Sequence, residues 1–147
     1  MLVAVGTDHA GFPLKEVTVR AIEDAGHGVL DCGASSVIPA DDYPDYARAV
    51  AEAIQGGRAE RGILLCGSGV GIAVAANKFA GIRAALCHDV FSARQGVEDD
   101  AMNALCLGAR VIGPALASEV IAAFLGAHFS EAERDRRRLE KVGAFEG

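Results

Sequence analysis

Three observations predict an α/β fold built on a parallel sheet. Apolar runs of strand length recur along the chain, and the stretches between them carry helical periodicity. The runs are also apolar throughout, as in Ile63-Leu64-Leu65, instead of alternating with polar residues. Strands of that kind suit a parallel sheet covered by helices on both faces. The expected architecture is a single domain with a three-layer, Rossmann-like (flavodoxin-like) fold and five parallel strands.

The strands are expected at Leu2 to Gly6, His27 to Asp31, Gly62 to Cys66, Arg83 to Cys87 and Ala104 to Leu107. After the first, Phe12-Pro13-Leu14-Lys15 opens a helix. Between the second and third, Tyr46, Ala47, Val50, Ala51 and Ile54 fall on one helical face, and Gly56-Gly57 stops the helix. An Ala-rich helix follows the third strand and runs to Asn77-Lys78. Beyond the fifth, Pro114 suits a first turn, with Leu116, Val120, Ile121, Phe124 and Leu125 as the buried stripe. The charged tail, about 130–142, reads as a helix with little apolar face of its own, so it is expected to pack across a neighbouring surface.

At 147 residues, 51% hydrophobic and 23% charged, the chain can bury a sizeable aliphatic core without disulfides or a structural metal. A net charge of -6 argues against a nucleic-acid surface and makes any phosphate site local. No apolar run approaches membrane-spanning length, and Met-Leu-Val-Ala-Val-Gly lacks a basic leader, so a cytoplasmic location is expected. Cys32, Cys66, Cys87 and Cys106 form no CxxC pair, which points to reduced thiols and not to zinc.

In such folds ligands sit beyond the carboxyl ends of the strands. The first such segment is Gly6-Thr7-Asp8-His9-Ala10-Gly11, where Asp8 and His9 either meet a ligand or Asp8 merely caps the next helix. The third is Cys66-Gly67-Ser68-Gly69-Val70-Gly71. Its alternating glycines let backbone N–H groups face a negative oxygen beside a helix start. Cys66 at the threshold of that loop is a candidate base or nucleophile, against the alternative of a small core residue. As a dinucleotide fingerprint the loop is weak, because Ile72 stands where Gly or Ala is wanted, and no Gly-Lys-Ser/Thr makes it a Walker loop. Arg134 and Arg138 lie four apart on one helical face and either clamp a phosphate or belong to a solvated charge run.

Taken together, GTDHAGFPLK, DDYPDYA, GILLCGSGVGIAVAANKFAGIRAALC and NALCLGARVIG resemble the ribose-5-phosphate isomerase B family, with the galactose-6-phosphate isomerase subunits, over nearly the whole chain. The resemblance implies an aldose–ketose isomerase of a sugar phosphate, free of metal and cofactor. It further implies a homodimer whose sites draw on both chains, assembly to a tetramer being left open. It puts the base at Cys66, a proton-relaying hydroxyl at Ser68, and the anion loop at Gly67, Gly69, Val70 and Gly71. It also implies ligand contacts at Asp8 and His9, phosphate contacts at Arg110, Arg134 and Arg138, and Tyr43 near the subunit junction. In one place the chain departs from the family. The ring-opening histidine and its neighbouring asparagine align with Asp99 and Asp100 in Val97-Glu98-Asp99-Asp100-Ala101-Met102-Asn103, which bears on ring opening or on the identity of the sugar. A nicotinamide-dependent reductase and a non-catalytic sugar-phosphate sensor are the competing functions.

Overall fold

The computed structural model describes residues 1–36 and 41–146. Its strands are β1 (Leu2–Thr7), β2 (Gly28–Asp31), β3 (Arg61–Cys66), β4 (Ala84–Leu86) and β5 (Ala104–Gly108). Its helices are α1 (Lys15–Asp24, after a 3₁₀ turn at Phe12–Leu14), α2 (Tyr43–Gln55), α3 (Val70–Ala76), α4 (Val90–Asp100), α5 (Pro114–Gly126) and α6 (Glu133–Gly143), with a closing 3₁₀ turn at Ala144–Glu146. All four strand pairings are parallel, as the unbroken apolar runs require.

The order across the sheet is β2-β1-β3-β5-β4. It departs from the flavodoxin order 2-1-3-4-5, because the last strand is inserted between β3 and β4. Helices α2 and α3 pack together over one face, and α1, α5 and α4 cover the other. The core is correspondingly split in two by the sheet. One half gathers Val3, Val5, Ile63, Leu65, Leu105 and Phe124, and the other Ala4, Leu64, Ile72, Ala76 and Cys106. Emptying the Phe124 position would cost about 3–5 kcal/mol, since the side chain is fully buried.

Two sequence expectations need correction. Leu116 is 37% exposed, and Ala117 takes its place in the buried stripe of α5, a one-residue shift in helical phase. The tail helix, expected from about residue 130, begins at Glu133; as expected it has little apolar face, with only Leu139 and Val142 apolar and Asp135 its one buried residue. Leu139 and Val142, with Phe145, line a cavity of about 640 Å³ whose other wall includes Phe79, Ile82 and Met102. Within its own chain the segment is anchored to α4, where the Ser130 N–H donates to the Glu98 carbonyl (2.9 Å) and buried Asp135 accepts from Ser130 Oγ (2.5 Å).

The two ends of the sheet carry different furniture. At the carboxyl end lie the segments after β1, β3, β4 and β5 and the start of α4. The amino end holds the last turns of α4 and α5 and the whole of α6. Arg61, the first residue of β3, fixes that assignment by donating to the Phe124 carbonyl (2.5 Å) and the Ala127 carbonyl (2.7 Å) at the end of α5.

Candidate active site

Cys66 is the last residue of β3 and only 5% exposed, while Ser68, two positions on, is exposed. The chain turns into α3 through Gly69 at φ 80°, a left-handed conformation that other residues adopt only with strain. That turn brings the Gly69 N–H to 3.1 Å from Cys66 Sγ, to which it donates. That contact makes the sulfur a hydrogen-bond acceptor from the loop backbone. The Val70 N–H donates to Ser68 Oγ (3.2 Å). Two of the loop's amides are therefore turned onto the loop's own side chains, and the remaining first-turn amides of α3 are the ones helix geometry leaves for an incoming anion.

Neighbouring segments close around the loop. The Asp8 N–H donates to the Leu65 carbonyl (3.3 Å), and on the other side Ala109 N–H reaches the Cys66 carbonyl (2.9 Å) and Arg110 N–H the Gly67 carbonyl (3.0 Å). The exposed Arg110 guanidinium lies over Gly67, with Nη1 3.4 Å from where a methyl on that glycine would sit. Tyr43, at the start of α2, lays its ring on Gly71, where a methyl would stand 2.7 Å from Cζ. Only glycine lets that ring approach.

Asp8 is 5% exposed and accepts from the Gly11 N–H (2.9 Å). It braces its own turn and does not cap α1, which starts at Lys15. The His9 backbone N–H donates to Asp41 Oδ1 (3.1 Å) and the ring Nδ1 lies 2.6 Å from the same oxygen, while Tyr46 Oη donates to Asp41 Oδ2 (3.0 Å). Burial works against ionisation of Asp41, but the bonds from His9 and Tyr46 outweigh it and hold the carboxyl below its ordinary range. Asp8, His9 and Asp41 each bring one ligand atom within 4.8 Å of the others. Sequence reasoning does not single out Asp41 or Tyr46 as site residues. Their only signal is membership of the DDYPDYA segment, from which Tyr43 alone is drawn.

His88, after β4, accepts the Gly108 N–H at Nε2 (2.9 Å), and burial pulls its pKa down. An Nε2 that accepts from the backbone carries no proton, so His88 ties β4 to β5 and is no substitute for a ring-opening acid at that nitrogen.

The structure divides the expected site residues. Asp8, His9, Tyr43, Cys66, Gly67, Ser68, Gly69, Val70, Gly71 and Arg110 come together at the carboxyl end of the sheet. Asp99, Asp100, Arg134 and Arg138 sit at the amino end of the same chain. There Asp99 accepts from Gln95 Nε2 (2.8 Å), and Arg134 Nε donates to Asp135 Oδ1 (3.3 Å) while its side chain stays 59% exposed. Exposed apolar side chains occur at the carboxyl end as well: Val70 (52%) and Val74 (58%) on α3, Leu86 against Gly69, and Phe91 (62%) in the first turn of α4.

Comparison with known proteins gives one answer. The family model described as Ribose/Galactose Isomerase matches residues 3–142. A ribose-5-phosphate isomerase B of Escherichia coli (strain K12) is 44% identical over 98% of this chain and 95% of the relative. A D-erythrulose-4-phosphate isomerase of Pectobacterium atrosepticum is 42% identical over 98% of this chain and 94% of its own. The solved structure of type B ribose 5-phosphate isomerase from Trypanosoma cruzi superposes with a TM-score of 0.96 at 40% identity, covering 99% of this chain and 98% of that one. With relatives matching nearly end to end, and with the same fold, the chain belongs to the ribose/galactose isomerase family and is a sugar-phosphate aldose–ketose isomerase.

Proposed function

We propose that the chain interconverts ribose 5-phosphate and ribulose 5-phosphate, with Cys66 as the base. The observation that carries this reading is the Gly69 N–H donated to Cys66 Sγ at 3.1 Å, in a buried position at a strand end. Cys66 thiolate takes the proton from the carbon next to the carbonyl and returns it to the neighbouring carbon, through a cis-enediolate whose oxygens face the loop amides. Ser68 Oγ relays a proton between the two oxygens. Arg110 and the arginines of α6 hold the phosphate, which positions the reacting carbon without reacting itself.

The arginines at 134 and 138 are too far round the fold to serve the Cys66 of their own chain. The functional unit in this reading is a homodimer in which the amino end of one subunit completes the carboxyl end of the other. The exposed Val70, Val74 and Phe91 at the carboxyl end support such an interface, since apolar patches at a site are covered in assembled enzymes. A cytoplasmic location fits a chain in which, among the described residues, no helix is long and apolar enough to cross a membrane.

Asp99 favours a second reading, an isomerase of an acyclic tetrose 4-phosphate. An aldopentose phosphate is largely a closed ring and gains from a proton shuttle near neutral pH, the task that histidine suits, and Asp99 stands where the family carries that histidine. A tetrose 4-phosphate cannot close a furanose through its phosphorylated oxygen. The relative named for D-erythrulose 4-phosphate is almost as similar as the one named for ribose 5-phosphate. Measuring kcat/KM for ribose 5-phosphate and erythrose 4-phosphate, in the wild type and in Asp99→His, separates the two. A pentose preference that the histidine leaves unchanged supports the first reading; a tetrose preference, with pentose turnover gained by the histidine, supports the second.

A further inference from the structure

The contact between His9 and Asp41 joins residues 32 positions apart in the chain, and it does so with both carboxylate oxygens engaged. One oxygen takes both the backbone N–H and the ring Nδ1 of His9, and the other takes the Tyr46 hydroxyl. The Asp41 side chain is 10% exposed and that of His9 31%, so the carboxylate is screened from water while the ring keeps an open edge.

Charge states follow from the partners. Asp41 is held ionised by its donors, and an ionised carboxylate only accepts. Burial and the neighbouring Asp41 raise the Tyr46 phenol, which therefore keeps its proton and remains a donor. The proton in the 2.6 Å contact must then reside on His9 Nδ1, and Nε2 is the only ring nitrogen left for anything else.

We propose that Asp41, backed by Tyr46, is a positioning residue that locks His9 as its Nδ1–H tautomer and leaves Nε2 to meet the sugar. This rests on the reading above, in which His9 touches the sugar phosphate. A neutral ring so held accepts a sugar hydroxyl at Nε2, and a protonated one donates there to an anionic oxygen. In neither state can the ring rotate to present Nδ1 without breaking its bond to Asp41. The double grip on backbone and ring also fixes the loop after β1 against the entrance of α2, so the direction of Nε2 is set along with its chemistry.

Asp41→Ala, Asp41→Asn and Tyr46→Phe test this when two measurements are made on each. The first is the tautomer of the neutral ring of His9, read at alkaline pH from long-range ¹H–¹⁵N correlations in histidine-labelled protein. The second is the split of kcat and KM for the better of ribose 5-phosphate and erythrose 4-phosphate. Wild type should show Nδ1–H. The alanine variant should move to the Nε2–H form that an unconstrained histidine side chain prefers, with kcat/KM down about tenfold and most of the loss in KM. Asparagine, whose carbonyl still accepts from Nδ1, should keep the tautomer and stay within about threefold of wild type, and Tyr46→Phe should fall between. An unchanged tautomer in Asp41→Ala, or equal losses in the alanine and asparagine variants, would overturn the proposal. If the alanine variant does not fold, asparagine decides: loss of the Nδ1–H signal in it also overturns the idea. Should wild type isomerise neither sugar, the functional reading fails, and the tautomer measurement still reports whether Asp41 sets the ring.

Discussion

The two ends of the sheet solve opposite problems. At the carboxyl end Cys66 and Asp8 are short and buried, Cys66 accepting a hydrogen bond from a backbone amide and Asp8 bracing a turn, while the Tyr43 ring lies on a glycine. At the amino end the candidate phosphate ligands Arg134 and Arg138 are long, charged and exposed, and Arg134 has Asp135 as its ion partner. In the proposed reading, rigid geometry serves the proton moved between carbons and reach serves the phosphate. The contrast explains why one chain looks like a finished catalyst at one end and an unfinished one at the other.

The most severe way to break this division is at sulfur. Cys66→Ala should reduce exchange of the substrate's C2 proton with solvent by ~10³-fold while leaving binding of the phosphate largely intact. Isotope exchange followed by NMR, alongside calorimetric binding, checks both halves of that statement, and exchange at the wild-type rate would remove Cys66 from the chemistry.

A smaller loss is expected from the other end. Arg134→Ala and Arg138→Ala should each weaken substrate binding by ~1.5–3 kcal/mol, the worth of a hydrogen bond to a charged group, with little change in the proton-transfer step. Mixing the Cys66→Ala protein with either arginine variant should restore part of the activity, because a hybrid pair holds one intact site. No recovery after confirmed subunit exchange would mean that each site is built from one chain.

A last pair of substitutions sharpens the comparison through stability alone, without touching a reacting group. Gly69 and Gly81 both have positive φ, 80° and 76°, but a methyl on Gly69 would meet Leu86 Cδ1 at 2.5 Å and the Leu107 carbonyl carbon at 2.9 Å, whereas nothing lies within 4 Å of one on Gly81. Gly81→Ala should cost only the left-handed strain, about 1–2 kcal/mol. Gly69→Ala adds overpacking and should cost about 2–5 kcal/mol. Thermal denaturation of the two variants side by side gives the difference, and equal costs would mean that the glycine loop is less tightly held than its contacts imply.

Much of this architecture is legible in the amino-acid sequence. Strand positions agree within a residue or two because fully apolar runs such as Ile63-Leu64-Leu65 have no other comfortable place, and Cys66 stands out because a glycine loop follows it. The sheet order is not legible. Interior parallel strands are interchangeable in hydrophobic pattern, and nothing in Ala104–Gly108 says that it belongs beside β3 and not at the edge. The link between His9 and Asp41 is hidden for another reason, since an acidic residue before DYP looks like any solvated loop charge until the chain folds back upon the first strand. Arg134 and Arg138 are legible as a pair, but their remoteness from Cys66 comes only with the placement of α6.

The inserted strand has a consequence for how the molecule is made. Among the described residues β4 pairs only with β5, and β3 gains its second neighbour only when β5 arrives. During synthesis, therefore, β3 waits with an open edge and β4 waits with no partner until Ala104–Gly108 has left the ribosome. The turn at Gly69 waits as well, because it is seated on Leu107 and Gly108. A nascent or truncated polypeptide ending before that point has no wall behind the Cys66 loop, and so no settled amide to direct at sulfur. Ala104–Gly108 lies nearly three-quarters of the way along the sequence, so the geometry around Cys66 depends on a wall that the chain contributes late.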